Sequence, residues 1–144
     1  MATSFAPSGL VANVPQCSGR LPSYWSSCSL TEWPGTCLLI DKNNLAKTKT
    51  IDFVDVFKSG YQPKVSLLEA LKFSDASTAK DKLAKHVVAA LLNVRKQLTP
   101  TVVMTETTVR NLWDACNGIG YYEPTAGIKW DAGTCVAWLK STMS

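Results

Sequence analysis

The feature that most constrains the fold is a long helical pattern in the middle of the chain. From Ser77 or Thr78 to about Asn93, apolar residues recur at the spacing of one helix face, at Leu83, Val87, Ala90, Leu91 and Val94. Another side carries Ala84, Val88 and Leu92, so the helix is apolar around much of its circumference. Because such a helix must be covered on most sides, we predict that it lies at the centre of the fold.

Capping signals predict shorter helices before it. A short helix is expected after Pro22, followed by a loop around Pro34-Gly35. Thr50 is expected to cap a brief helix through Phe57 that ends at Ser59-Gly60 and is blocked by Pro63. Ser66 and Glu69 form a capping box that opens a helix through Phe73.

Two further helices are expected after Pro100. Thr105 caps the first, which closes at Asn117-Gly118, and Asp131 caps the last. The segment from Tyr121 to Gly127 is interpreted as a loop. Only the short stretch 99–104 has the alternation of a β-strand.

These elements predict a mainly α fold, a small single-domain bundle of about five short helices. The chain of 144 residues fits one domain. We expect residues 1–21 to form an extended N-terminal arm and residues 22–144 to form the helical domain. The apolar arm positions either lie on their own domain or dock onto a neighbouring subunit; they are Phe5, Leu10, Val11 and Val14.

The cysteines favour disulfides over a metal site. There is no C-x-x-C pair among them and His86 is the only histidine, so zinc ligands are scarce. Cross-links are expected to staple the irregular N-terminal third, which points to an oxidising compartment. Because the number is odd, one thiol either stays free or bridges two subunits; the candidates are Cys17, Cys28, Cys37, Cys116 and Cys135.

Charge and hydropathy exclude two kinds of partner. The net charge is +4, but the 15 Lys and Arg residues are spread along the chain, so no nucleic-acid-binding patch is predicted. No stretch approaches the length of a membrane span. Residues 1–16 lack a basic segment followed by an apolar one, so we expect no signal peptide there.

The sequence offers little catalytic material. His86 lies within the central helix among apolar residues, which favours a hydrogen-bonded structural role, although a cysteine-histidine pair stays open. Acidic residues on or near loops are explained by helix caps and polar helix faces; they are Glu32, Asp41, Asp52, Asp55, Asp114, Glu123 and Asp131. No phosphate-binding loop, zinc-protease motif or calcium loop is present. We therefore predict no catalytic residue, metal or cofactor.

Aromatic residues are concentrated in the predicted loops. Trp and Tyr side chains fill cores, stack on sugar rings or dominate protein interfaces. Only 18% of the residues are charged, which favours subunit association. Self-association or ligand contact is therefore predicted for Tyr24, Trp25, Trp33, Tyr121, Tyr122 and Trp130.

Two stretches resemble a group of largely uncharacterised bacterial secreted or surface proteins with a C-x-P-G-Y-W-K-N-H signature. Cys17, the run Pro22-Ser23-Tyr24-Trp25 and then Trp33-Pro34 match the first stretch, although Ser26, Ser27 and Cys28 replace its Lys-Asn-His. The segments 67–73 and 83–93 are similar to the group's L-L-x-A-L-x-F and L-x-R-H-A-V-A-A-L-L-N. The resemblance implies an extracellular or cell-surface setting, a mainly helical domain and no established reaction.

These observations favour a non-enzymatic extracellular structural protein that self-associates as a homo-oligomer or polymer, such as the subunit of a surface filament or matrix. One alternative is a carbohydrate-binding or adhesive module that uses exposed aromatic residues on a glycan. A second alternative is a small secreted hydrolase that uses loop carboxylates.

Overall fold

The computed structural model describes residues 18–57, 65–74 and 76–144. Within these ranges the chain forms five α-helices: α1 (Pro22–Ser27), α2 (Leu67–Leu71), α3 (Ala79–Arg95), α4 (Glu106–Gly118) and α5 (Ala132–Ser141). Two antiparallel ladders join β1 (Leu38–Leu39) to β2 (Lys49–Thr50) and β3 (Tyr122–Thr125) to β4 (Ile128–Trp130). The fold is mainly α, as predicted.

Helix α3 is the centre of this fold. It packs against α1, α2, α4 and α5. From Leu83 to Asn93 every residue except Lys85 is buried. The apolar circumference read from the sequence therefore serves four neighbouring helices at once, and the prediction of a central buried helix is confirmed.

Side-chain caps fix where the longer helices begin. Thr78 Oγ1 accepts a hydrogen bond from the Asp81 amide at 3.2 Å. Thr105 Oγ1 and Asp131 Oδ1 do the same for the amides three residues on, at 3.2 and 2.8 Å. Each cap satisfies a backbone N–H that has no partner inside its helix. All three starting points are those predicted.

The predicted capping box at the start of α2 is also present. Ser66 Oγ accepts from the Glu69 amide at 3.1 Å, and Glu69 Oε1 accepts from the Ser66 amide at 2.8 Å. The helix ends at Leu71, two residues before the predicted end at Phe73.

The predicted helix cap at Thr50 is wrong. Thr50 lies in β2 opposite Leu38, and its hydroxyl accepts a hydrogen bond from the Leu68 amide at 3.2 Å. The turn that follows is a single 3₁₀ turn, Phe53–Asp55, capped by Asp52. Pairing of the backbone with its neighbours on both sides keeps the chain extended up to Asp52. The predicted end at Ser59-Gly60 and the block at Pro63 lie outside the described residues.

Two further predictions need correction, one of a strand-like stretch and one of a loop. The alternating stretch 99–104 is a turn, in which the Val103 and Met104 amides donate to the Pro100 carbonyl. The segment interpreted as a loop from Tyr121 onward is instead the β3–β4 hairpin, with Gly127 at a φ of +85° in its turn. Glycine favours this conformation because it has no Cβ.

The expected disulfide staple is not formed by the described cysteines. Cys28, Cys37, Cys116 and Cys135 are free thiols, and Cys17 lies outside the described residues. Indole contacts hold the N-terminal third instead. Trp33 Nε1 donates to the Trp25 carbonyl at 3.1 Å, and the two rings meet edge to face at 6.3 Å.

The described end of the predicted arm lies against the domain. The Ser18 amide donates to the Leu98 carbonyl at 3.0 Å, and Gly19 forms a parallel bridge with Met143. The Arg20 amide donates to Asn93 Oδ1 at 2.8 Å. Residues 18–20 are therefore part of the helical domain, and the apolar arm positions Phe5, Leu10, Val11 and Val14 lie outside the described residues.

Candidate functional site

Two of the predicted contact residues belong to the core. Trp25 and Trp33 are 1% and 3% exposed. The indole N–H of Trp25 is also used internally, since it donates to Asn93 Oδ1 at 3.0 Å. The prediction of external contact is therefore corrected for Trp25, which fills the space between α1 and α3. Trp33 packs on Trp25, and its small exposed part lines a surface depression beside β1.

Tyr24 is half-buried at the edge of the same cluster. Its ring packs edge to face on Trp25 at 5.2 Å, and the Arg20 guanidinium lies 5.0 Å from its centre. Its hydroxyl donates to Glu32 at 3.4 Å. Only part of this side chain is left for a partner.

The other three predicted aromatic residues meet at the β3–β4 hairpin. Tyr122 and Trp130 pair across the ladder, with ring centres 6.3 Å apart, and Trp130 packs on Trp138 of α5 at 5.6 Å. Lys129 Nζ lies 4.8 Å from the centre of the Tyr121 ring. All four rings are half-buried. Tyr122, Trp130 and Trp138 thus form a row of ring contacts, and Tyr121 lies next to it in the chain.

A shallow cleft of about 500 Å³ lies between this hairpin and α4. Tyr121 and Tyr122 line it together with Asn111, Asp114 and Glu123. Aromatic faces beside amide and carboxylate groups are the kind of surface that binds sugar rings and hydroxyls. We call this the hairpin cleft.

A second surface depression lies beside β1, and we call it the β1 groove. It has a volume of about 520 Å³. Its apolar lining residues are Leu30, Trp33, Leu38, Ile40, Leu45 and Ala46. The other lining residues are Ser, Thr or Gly, and none is charged. The groove is therefore electrically neutral.

Large apolar side chains are exposed at this groove. Ile40 is 55% exposed and Leu45 is 71% exposed, and Leu39 next to them is 51% exposed. Exposed apolar residues that cluster around a depression mark interaction surfaces more often than scattered ones do. These residues are not among the predicted contact residues. The signal was the apolar run 38–40 followed at Leu45 by an apolar residue, outside any helical period.

His86 has the structural role that its position predicts. The side chain is 4% exposed, and Nδ1 lies 2.8 Å from the Lys82 carbonyl, to which it donates. No cluster of three or more potential metal ligands occurs in the described part of the chain.

Several candidate carboxylates are engaged in local structure. Asp52 and Asp55 form a capping box at the 3₁₀ turn Phe53–Asp55. Asp131 caps α5. Hydrogen bonds from the Thr134 backbone and side chain lower the pKa of Asp131. Asp41 accepts from the Asn43 and Asn44 amides, and Glu123 accepts from the Gly127 amide.

An ion network joins the N-terminal third to helices α3 and α4. Arg95 binds Glu106 through two hydrogen bonds, Nε to Oε1 at 2.8 Å and Nη2 to Oε2 at 3.0 Å, and Arg110 pairs with the same carboxylate. These bonds hold the pKa of Glu106 below its usual value. Arg95 Nη1 also donates to Cys37 Sγ at 3.3 Å. Burial raises the pKa of the Cys37 thiol, which favours its neutral form.

Among the helices in the described ranges, none combines the length and the apolar character needed to cross a bilayer. Comparisons with protein-family models, curated proteins and solved structures found no match to this chain. The surfaces that remain as candidate sites are thus defined by their own geometry: the neutral β1 groove and the aromatic hairpin cleft.

Proposed function

We propose that this chain is a non-enzymatic extracellular structural protein that self-associates. The contact places arm residues 1–17 of one molecule in the β1 groove of the next. Repetition of this contact builds a surface filament or matrix. The observation that carries the proposal is the neutral, apolar groove with Ile40 and Leu45 exposed at it.

The composition of the arm matches the groove. Residues 1–17 contain no Asp, Glu, Lys, Arg or His, and four large apolar residues are spread along them: Phe5, Leu10, Val11 and Val14. Placing an uncharged segment in an uncharged groove leaves no charge unpaired, so the burial of apolar area is not offset by charge desolvation.

The length of the arm allows it to reach the groove of a neighbouring molecule. Ser18 and Gly19 are held by Leu98 and Met143, whereas the groove is built from residues 29–48. A fully extended segment of 17 residues spans up to roughly 55 Å. Arm and groove are different surfaces, so the contact is heterologous and propagates into an open polymer unless the geometry closes a ring.

The experiment compares the full chain with a variant that lacks residues 2–15. Both are studied by sedimentation velocity and negative-stain microscopy across a range of concentrations. A reducing agent is present, so that Cys17 cannot cross-link molecules. We expect the full chain to form concentration-dependent oligomers or filaments, and the shortened chain to stay monomeric with the same helicity.

A second experiment uses a peptide of residues 1–17 with Cys17→Ser. Added in excess, it is expected to dissociate the oligomers by occupying the groove. A full chain that stays monodisperse and monomeric at high concentration would overturn the proposal. The proposal also fails if hydrogen exchange shows that the arm of a monomer protects the groove of the same molecule.

The hairpin cleft favours a second candidate function, that of a carbohydrate-binding module. Its support is the meeting of Tyr121 and Tyr122 with Asn111, Asp114 and Glu123 around one depression. Stacking on aromatic faces combined with hydrogen bonds to hydroxyls is a common basis of sugar recognition. Because Trp25 is buried, this function would rest on the hairpin and not on the N-terminal aromatic residues.

A glycan array distinguishes this candidate from the first. Tyr122→Ala is expected to abolish any glycan binding that the full chain shows. Tyr24→Ala, which alters an aromatic residue of the N-terminal cluster, is the matched control and is expected to retain it. Absence of binding to all glycans on the array would exclude the module.

A further inference from the structure

The sulfur atoms of Cys116 and Cys135 lie 3.6 Å apart. Cys116 belongs to the C-terminal part of α4, and Cys135 belongs to the N-terminal part of α5. Both sulfurs also approach the Trp130 carbonyl at the end of β4, at 4.0 and 3.9 Å. Two thiols from separate helices thus converge on one point behind the hairpin.

We infer that Cys116 and Cys135 form an intrachain disulfide when the protein meets a low-molecular-weight disulfide, and that this cross-link joins α5 to α4 across the base of the β3–β4 hairpin. A disulfide needs sulfurs about 2.05 Å apart. The two sulfurs must therefore approach by roughly 1.5 Å to form the bond.

The two sulfurs differ in how a reagent can reach them. Cys116 lines a surface cleft of about 170 Å³ formed by residues of α3, α4 and the start of α5. Cys135 is 0% exposed. A soluble disulfide can therefore meet Cys116 first, whereas Cys135 is reached only through Cys116.

The interaction between the two thiols also predicts that Cys116 reacts before Cys135. The contact between the two sulfurs lowers the pKa of Cys116 and, together with burial, raises that of Cys135. The thiolate is the attacking species in thiol-disulfide exchange. Accessibility and ionisation both identify Cys116 as the nucleophile.

The exchange takes place in two balanced steps. The Cys116 thiolate attacks one sulfur of the small disulfide, forms a mixed disulfide and releases one small thiolate. Cys135 then loses its proton and attacks Cys116 Sγ, which forms the protein disulfide and releases the second small thiolate. The two cysteines are oxidised by two electrons in total, and the small disulfide is reduced to two thiols.

The disulfide would leave three cysteines unpaired elsewhere in the chain. Once Cys116 and Cys135 are joined, Cys17, Cys28 and Cys37 are left over. Cys37 is fully buried and held by Arg95, so the thiol of Cys28, which is only half-buried, is the more accessible of the two that the structure describes.

The test treats the folded full-length protein with oxidised glutathione, blocks remaining thiols and maps the tryptic peptides by mass spectrometry without reduction. Cleavage after Arg110, Lys129 and Lys140 places the two cysteines on peptides 111–129 and 130–140. We expect these peptides to appear joined, with a mass two hydrogens below their sum. Finding both cysteines blocked as free thiols, or joined to other cysteines instead, would overturn the inference.

Single variants report the order of attack. Cys135→Ser is expected to trap glutathione on Cys116, whereas Cys116→Ser is expected to leave Cys135 unmodified. Cys28→Ser is the control and keeps the cross-link. Glutathione found on Cys135 and not on Cys116 would contradict the assigned nucleophile, and circular dichroism checks that each variant is folded.

Thermal unfolding tests what the cross-link does. The two cysteines are 19 residues apart in the chain, so the disulfide closes a loop and restricts the unfolded state. We expect it to raise the midpoint temperature of unfolding by about 5–10 °C over that of the reduced protein. An oxidised form with no higher midpoint would overturn the stabilising role. The wild-type measurement needs no substitution, so it is independent of how well the variants fold.

Discussion

Trp25 Nε1 donates a buried hydrogen bond of 3.0 Å to Asn93 Oδ1. The same Asn93 side chain accepts from the Arg20 amide at 2.8 Å and donates to the Arg20 carbonyl at 3.0 Å. Trp25 belongs to α1 and Asn93 to the C-terminal half of α3, so one side chain joins the N-terminal segment to the central helix.

Asn93→Ala is expected to lower the free energy of unfolding by about 2–4 kcal/mol, because it leaves the buried Trp25 indole N–H without a partner and removes two hydrogen bonds to the Arg20 backbone. Chemical denaturation measures the change. Asn111→Ala, on the exposed side of α4, is the matched control and is expected to change stability by less than about 0.5 kcal/mol. A similar small loss at Asn93 would contradict the role of this network.

Gly19→Ala is expected to destabilise the fold by about 2 kcal/mol or more, because an added Cβ would lie 2.7 Å from the Thr142 carbonyl oxygen and 2.9 Å from Asn93 Nδ2. Gly118→Ala is the control. Nothing lies within 4 Å of its added Cβ, and alanine favours the helix that it ends, so stability should be unchanged or slightly higher. Thermal unfolding of the two variants compares them directly.

Glu106→Gln is expected to cost about 1–2 kcal/mol at neutral pH, since it removes the charge shared by Arg95 and Arg110. The pKa of Glu106 is lowered in the folded protein. Its contribution is therefore present above the ordinary carboxyl pKa of about 4.3 and is lost as the pH falls through the lower folded value.

The stability difference between wild type and Glu106→Gln should accordingly close as the solution is acidified below about pH 4. Denaturation at several pH values measures it. Glu32→Gln changes an exposed side chain whose one described hydrogen bond comes from the Tyr24 hydroxyl, so the stability difference from wild type should stay close to zero. A constant gap for Glu106→Gln down to acid pH would contradict the assignment.

Leu45→Lys is expected to weaken self-association at least tenfold while leaving the unfolding free energy within about 0.5 kcal/mol, because Leu45 is exposed in the monomer but lies in the proposed contact. Val102→Lys changes a residue that is equally exposed, at 76%, outside the β1 groove. It should associate as the wild type does. Equal association of all three proteins would exclude the groove as the contact surface.

Much of the helical framework could be predicted from local sequence. Thr78, Thr105 and Asp131 cap their helices as expected, because an N-cap depends on residues only three positions apart. The central position of α3 followed from its own apolar circumference, since a helix without a polar face must be covered. The buried role of His86 followed from its place on that helix.

Other features were decided by contacts between distant segments. Thr50 looked like a helix cap, but pairing with Leu38 made it part of a strand. Trp25 was predicted to be a contact residue but is enclosed, because the sequence does not say which aromatic residues the fold buries. The β1 groove joins residues 29–48 through the packing of turns that have no periodic pattern.

The cysteines show the same division most clearly. The amino-acid order was enough to predict a helical chain built around α3, but it left the pairing of the five cysteines open, since spacing does not fix which thiols meet. Only the tertiary structure brought Cys116 and Cys135 to 3.6 Å, because their approach depends on how α4 and α5 pack around the hairpin between them. Local patterns are set by neighbouring residues, whereas sites are set by the docking of whole elements.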